Sequence, residues 1–211
     1  MKRISIIVFA IITSITVNAQ KDPAAKVILD AMSAKYKSIP AFKANFSYIM
    51  EDPEEGIDEG FEGLITVMKD KYRLNMGGQE IINNGITVWT FLKDDNEVTV
   101  SDFDPEEQEL SLSTIFSIYE KGYKYLYLDN ESTGVNDFVD LVPEDLEKTF
   151  YKIRMEINKS SSALKSFKVF DKSGSRYLYR INDFSEENAI TEKDFTFNES
   201  AFPDVEVIDF R

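Results

Sequence analysis

From Phe42 onward the apolar positions of this chain recur with a period of two. FKANFSYIM places Phe42, Ala44, Phe46, Tyr48 and Met50 on one face of an extended segment, with Lys43, Asn45 and Ser47 opposite. GFEGLITVMK repeats the design through Phe61, Gly63, Ile65 and Val67, and KYRLNM does so through Tyr72, Leu74 and Met76. After the break at Gly77-Gly78, INNGITVWTFL predicts a hairpin, because Asn84 and Gly85 both tolerate the positive φ that a two-residue turn demands. Beyond that turn Thr87, Trp89 and Phe91 share one face, and Ile86, Val88, Thr90 and Leu92 share the other. Both faces are apolar, so both need cover. EVTVSDF, YKYLYLD, NDFVDLVP, TFYKIRMEIN, ALKSFKVFD, SRYLYRINDF and KDFTFN read as further strands, with a turn at Asp171–Ser175 and an additional edge strand in VEVIDF. Consecutive short strands joined by tight turns predict an antiparallel meander.

Two stretches have helical spacing instead. In residues 21–38, Asp22 is the expected N-cap and Pro23 the first helical residue; Ala25, Ile28, Leu29, Met32 and Tyr36 form one apolar stripe, and Pro40 ends it. In ELSLSTIFSIYEKG, residues Leu112, Ile115, Phe116 and Tyr119 fall at three- and four-residue spacing, with Ser111 or Ser113 as cap and Gly122 as stop. About a dozen strands and two helices, with no linker and no repeat, form a single domain over residues 20–211. A barrel of about eleven strands is too wide to be closed by its own side chains unless flattened, and wide barrels enclose cavities. The second helix is expected to lie across the open end of a curved sheet, with one face of the 86–92 strand lining the cavity.

The opening MKRISIIVFAIITSITVNAQ has the basic, apolar and small-residue zones of a cleavable secretory signal, residues 1–19, with cleavage before Gln20. Its apolar run is too short for a convincing membrane span, so the product is expected to be exported and soluble. Losing Lys2 and Arg3 removes two positive charges and moves the formal charge from −14 to −16, which argues against nucleic acid as a partner. With no cysteine there is neither a disulfide nor a site for a lipid anchor, and the 43% apolar content, with 16 Phe and 10 Tyr, must hold the fold alone. The absence of histidine as well excludes Ser-His-Asp and Cys-His chemistry and the usual zinc ligand sets. The acidic stretches at 51–60, 93–97 and 101–109 lack EF-hand spacing and read as solvated loops. No cofactor, metal or catalytic residue is expected, and nothing singles out a glycosidase-type carboxylate pair.

The motif order resembles the periplasmic outer-membrane lipoprotein carrier (LolA) family over the mature chain. The resemblance rests on the N-terminal helix, the aromatic strand FKANFSYIM, GLITV at Gly63–Val67, KYRLNM, NNGITVWTF, the second helical pattern, and DFTFN followed by FPDVEVID. It implies an incomplete antiparallel β-barrel of about 11–12 strands, mainly β, enclosing a hydrophobic cavity and capped by the N-terminal helix and a short lid helix. It further implies a periplasmic, monomeric chaperone that is not an enzyme and that carries the acyl chains of triacylated lipoproteins from the inner to the outer membrane. An inner-membrane lipoprotein-releasing ABC transporter would supply the cargo, and an outer-membrane acceptor is a further expected partner. The alternative is a lipid- or lipoprotein-sensing module of the same fold. By motif position, with the aromatic strand included, the acyl-chain cavity falls to Phe46, Tyr48, Tyr72, Leu74, Met76, Val88, Trp89 and Phe91, and the lid to Leu112, Ile115, Phe116 and Tyr119. Lys69 stands where the family often has a lid-latching arginine, and Asp70 where it has proline; lysine lacks the guanidinium fork.

Overall fold

Asp22 opens helix α1 (Pro23–Lys37): one of its carboxylate oxygens accepts the Ala24 N–H at 2.8 Å, and Pro23 occupies the first turn, where no N–H is needed. At the other end the Ser38 N–H donates to the carbonyls of Ala34 and Lys35. The buried stripe is Ala25, Leu29, Met32, Ser33 and Tyr36. The computed structural model describes residues 21–104, 110 and 112–211, so the expected signal peptide and the candidate cap Ser111 lie outside the described residues.

Twelve strands follow in one sheet among the described residues. They are β1 (Ala41–Asp52), β2 (Ile57–Met68), β3 (Lys71–Met76), β4 (Gln79–Asn83), β5 (Thr87–Leu92), β6 (Glu97–Asp102), β7 (Tyr123–Tyr127), β8 (Asn136–Pro143), β9 (Phe150–Asn158), β10 (Leu164–Asp171), β11 (Arg176–Glu186) and β12 (Glu206–Asp209). Their order is β12-β6-β5-β4-β3-β2-β1-β11-β10-β9-β8-β7, antiparallel throughout except for the parallel β12–β6 pair. β12 and β7 stay at opposite edges, so the barrel is incomplete, as expected. The largest core cluster joins side chains from nine strands to α1, the single α-helix among the described residues. At about 4.8 Å per strand those nine laid flat would span roughly 40 Å, whereas a 15-residue helix is about 22 Å long. The sheet must therefore curl around the helix.

Close approach at the centre of the sheet explains one glycine. Phe46 of β1 pairs with Gly63 of β2, and a Cβ at that glycine would lie 2.4 Å from the Phe46 ring. The outer edge of β7 is closed by the segment before α1: Lys21 bridges to Tyr125, the Asp22 N–H donates to the Tyr125 carbonyl at 3.1 Å, and the Tyr127 N–H donates to the Asp22 carboxylate at 3.0 Å. That removes one row of free backbone groups from a sheet edge.

Three local expectations change. The β4–β5 turn has positive φ at Gly85 alone (+88°), with Asn84 paired to Thr87, so its central residues are Gly85 and Ile86 and the glycine comes first, as in a type II′ turn. The Asn84 side chain accepts the Ile86 and Thr87 N–H groups and so serves the turn from its flank. KDFTFN is not a strand. It forms a 3-10 turn, Glu192–Phe195, held by a Thr191/Asp194 capping box, and crosses the outer face of the sheet. The expected lid helix is likewise replaced by turns over residues 112–117 and a short 3-10 helix, Ile118–Glu120.

Candidate functional site

The two faces of the sheet are covered differently. On the inner face, Phe42, Ala44 and Phe46 (β1), Ile65 and Val67 (β2) and Tyr72 (β3) form one cluster with Phe167 and Val169 (β10), Ile153 and Met155 (β9) and the α1 stripe. Leu112, Ile115, Phe116, Ile118 and Tyr119 belong to the same cluster. β6 lies next to one edge of the sheet and β7 forms the other, and the described residues 112–120, which fall between them in sequence, pack on the inner face beside α1. These residues cover part of the inner cluster in turns and a short 3-10 helix, not in an α-helix.

On the outer face, a second cluster holds Ile82, Phe91, Val98, Phe195 and Phe197, with Met68, Trp89, Ile190, Phe202 and Val205 packed against it. The Phe91 ring lies 4.4 Å from that of Phe202 and 5.2 Å from that of Phe197. Residues 190–205 are therefore the cover of this face.

This arrangement sorts the residues singled out from the sequence. Phe46 and Tyr72 are buried in the inner cluster, with Tyr48, Leu74 and Met76 half-buried against it. Val88 is buried opposite Asn83, which pairs in turn with Tyr72, so register places it on the inner side. Trp89 and Phe91 do not join the other six. They pair with Ile82 and Val98 and pack under the C-terminal segment, because alternation in β5 sends odd positions outward. Leu112, Ile115, Phe116 and Tyr119 are buried together in the inner cluster.

Residues 116–120 are fastened to α1. Tyr36 and Phe116 stack with ring centres 3.7 Å apart. The Tyr119 hydroxyl donates to the Asp30 carboxylate at 2.8 Å, and one Glu120 oxygen accepts from the Ser33 hydroxyl at 3.1 Å and from the Lys37 ammonium at 2.5 Å. The sequence reading missed Asp30, Ser33, Lys37 and Glu120 in this role. One signal was available: Ser33 interrupts the Leu29-Met32-Tyr36 stripe, so it aims a hydroxyl inward from an otherwise apolar face. Lys69, the expected latch, occupies the left-handed region (φ +59°) after β2 and faces the lid across a cleft lined also by Ser113, Phe116 and Ser117.

Hydrogen bonds and charge shift these groups in step. Asp30 titrates below the usual carboxylate range, first through its hydrogen bond from Lys26, and Glu120 does so first through Lys37. Burial pushes the Tyr36 hydroxyl up to about 12, where it still accepts the Leu164 N–H at 3.1 Å. A carboxylate with a depressed folded-state pKa adds stability above its unfolded pKa of about 4 and loses it as pH falls through the folded value. The lid contacts are thus expected to weaken below about pH 4. Amide exchange over residues 112–120 should rise between pH 7 and pH 3 before exchange in β9 and β10 does, and Glu120→Gln should flatten that rise. An unchanged lid profile down to pH 3 would remove the carboxylates from the latch.

The cleft at this seam has a volume of about 380 Å³ and runs from Tyr36, Ile39 and Phe42 to Val67 and Phe116, with Lys37 and Lys69 also on its lining. Among the described residues no group of three or more His, Cys, Asp or Glu could hold a metal ion. No helix among them is long and apolar enough to cross a membrane, which leaves β-barrel insertion unaddressed.

An open, curled sheet with an apolar inner face under a helix and residues 112–120 is a LolA-like fold, which supports a carrier-type module of the kind that binds lipids or lipoproteins. The chain belongs to the LolA family: residues 37–198 match the model described as Outer membrane lipoprotein carrier protein LolA. A search of curated proteins finds no match. Among solved structures, an uncharacterized conserved protein from Thermus thermophilus is similar at 16% identity and a TM-score of 0.55, over 88% of this chain and 99% of that one. A LolA superfamily protein from Nitrosomonas europaea is similar at 15% identity and a TM-score of 0.47, over 82% and 97%. The Pseudomonas aeruginosa MucA/MucB complex matches at 13% identity and 0.43, over 83% and 62%. At these identities the likeness to the Thermus protein concerns the fold alone.

Proposed function

We propose that this protein is a periplasmic carrier, acting as a monomer and catalysing nothing, that holds the acyl chains of triacylated lipoproteins against the inner face of the sheet during transfer from the inner to the outer membrane. Cargo would arrive from an inner-membrane lipoprotein-releasing ABC transporter and leave to an outer-membrane acceptor. The observation that supports this most is the continuity of the inner apolar cluster with the segment that covers it: Tyr36, Phe42 and Phe116 belong to one aromatic group, and side-chain contacts tie Phe116, Tyr119 and Glu120 to α1. Exposing an acyl chain of about 15 carbons to water costs on the order of 12 kcal/mol at about 0.8 kcal/mol per CH₂, and a trough uncovered by lid movement removes that barrier. Half-buried Leu74, Met76 and Tyr48 beside it suit a site that must also release.

The purified protein is expected to capture a hydrophobic fluorophore, with Phe116→Asp and Leu74→Asp each weakening capture by at least about tenfold. Trp89→Leu, on the outer face, should leave capture within about twofold. Equal losses in all three variants would overturn the inner-face assignment. Recovery of a membrane-bound regulator and no lipoprotein from periplasmic pull-downs would replace carriage by sensing.

A further inference from the structure

Among the described residues, the cleft between the end of α1 and the lid is lined by Lys37 and Lys69 and by no carboxylate, in a chain where 38 acidic residues face 24 basic ones. A cleft of similar size on the outer face is mixed in charge: Lys43 and Arg73 are met there by Glu80, Glu187 and Asp194. Apolar groups of the first cleft, Phe42, Val67 and Phe116, belong to the inner core, so the cavity is amphipathic, greasy within and cationic on its lining. One of its two cations is already occupied. Lys37 holds Glu120, which stands at the end of the lid and binds Ser33 as well.

We propose that this cleft takes a single-chain anionic amphiphile, a fatty carboxylate, with its tail against Phe42, Val67 and Phe116 and its head between Lys37 and Lys69. The head takes the place of Glu120 beside Lys37. An incoming carboxylate thereby exchanges an internal ion pair for an external one and frees the end of the lid from α1, which couples recognition of the head to opening of the cover. A carboxylate replaces the Glu120–Lys37 ion pair with another ion pair, whereas a neutral head offers the ammonium hydrogen-bond acceptors without the opposite charge. The inference rests on the reading of the inner face as a site for lipid tails and adds a preference for head-group charge.

The test compares dodecanoate, dodecyl maltoside and dodecyltrimethylammonium below their micellar concentrations as displacers of the bound fluorophore. Dodecanoate should bind about tenfold more tightly than the other two. In the double variant Lys37→Gln/Lys69→Gln the three affinities should converge. In Glu120→Gln, where the internal competitor is gone, dodecanoate should gain several-fold while the cationic detergent does not. Equal affinities in the unmodified protein, or a preference for dodecanoate that survives the double substitution, would overturn the head-group assignment and leave the carrier reading intact. Failure of the unmodified protein to capture the fluorophore would instead overturn the carrier reading itself.

Discussion

Tyr36→Ala is expected to destabilise the protein by about 3–5 kcal/mol, the range for deleting a large buried aromatic side chain. Three rings touch it: Phe116 stacks at 3.7 Å, Phe184 meets it edge-on at 5.5 Å and Phe42 at 6.3 Å. Its hydroxyl is also the acceptor for the Leu164 N–H at the start of β10, so the residue ties α1 to both the lid and the far half of the sheet. Tyr36→Phe separates the two contributions. It keeps the ring and leaves a buried donor unpaired, at about 1–3 kcal/mol. Urea unfolding followed by circular dichroism measures both. A loss below about 1 kcal/mol in the alanine variant would mean that the three-way packing contributes little.

Phe195→Ala is expected to cost a similar amount, about 3–5 kcal/mol, through the outer face. Phe195 is fully buried among Ile82, Phe91, Val98 and Phe197, and the capping box at Thr191 and Asp194 presents it there. The single tryptophan, Trp89, packs against this cluster, so its emission should shift to the red as residues 190–205 loosen. Fluorophore capture, which belongs to the other face, should persist in the folded fraction. Retained stability with capture lost would exchange the roles of the two faces.

Most strands were legible because each keeps a two-residue alternation and is bounded by turn residues, as in FKANFSYIM and KYRLNM. What the pattern could not supply was which layer covers which side. INNGITVWTFL reads as apolar on both faces and is: Val88 turns toward the inner face, while Trp89 and Phe91 lie under a segment that returns from more than ninety residues later in the chain. Alternation in KDFTFN correctly marks Phe195 and Phe197 as buried. Thr196 between them is extended, but the segment crosses the sheet face instead of pairing with a strand. The lid pattern misled differently. Leu112, Ile115, Phe116, Ile118 and Tyr119 are all buried, as one face of a helix would be, but the segment packs between α1 and the strands in turns and a 3-10 helix. So short a stretch also gains little from helix formation on its own, and tertiary packing decides its conformation.

The central β1–β11 seam bears on how the chain reaches this state. Nearly every other strand pair is local in sequence, but residues 41–52 must find residues 176–186, and β6 must wait for β12. Two meanders can assemble early, yet they become one sheet only when the far end of the chain arrives. Pairings of such long sequence separation slow folding into the range of milliseconds to seconds for sheet-rich domains. During that interval the aromatic strand FKANFSYIM has β2 on one side and an unpaired edge on the other, so the step most exposed to aggregation is the closing of this seam.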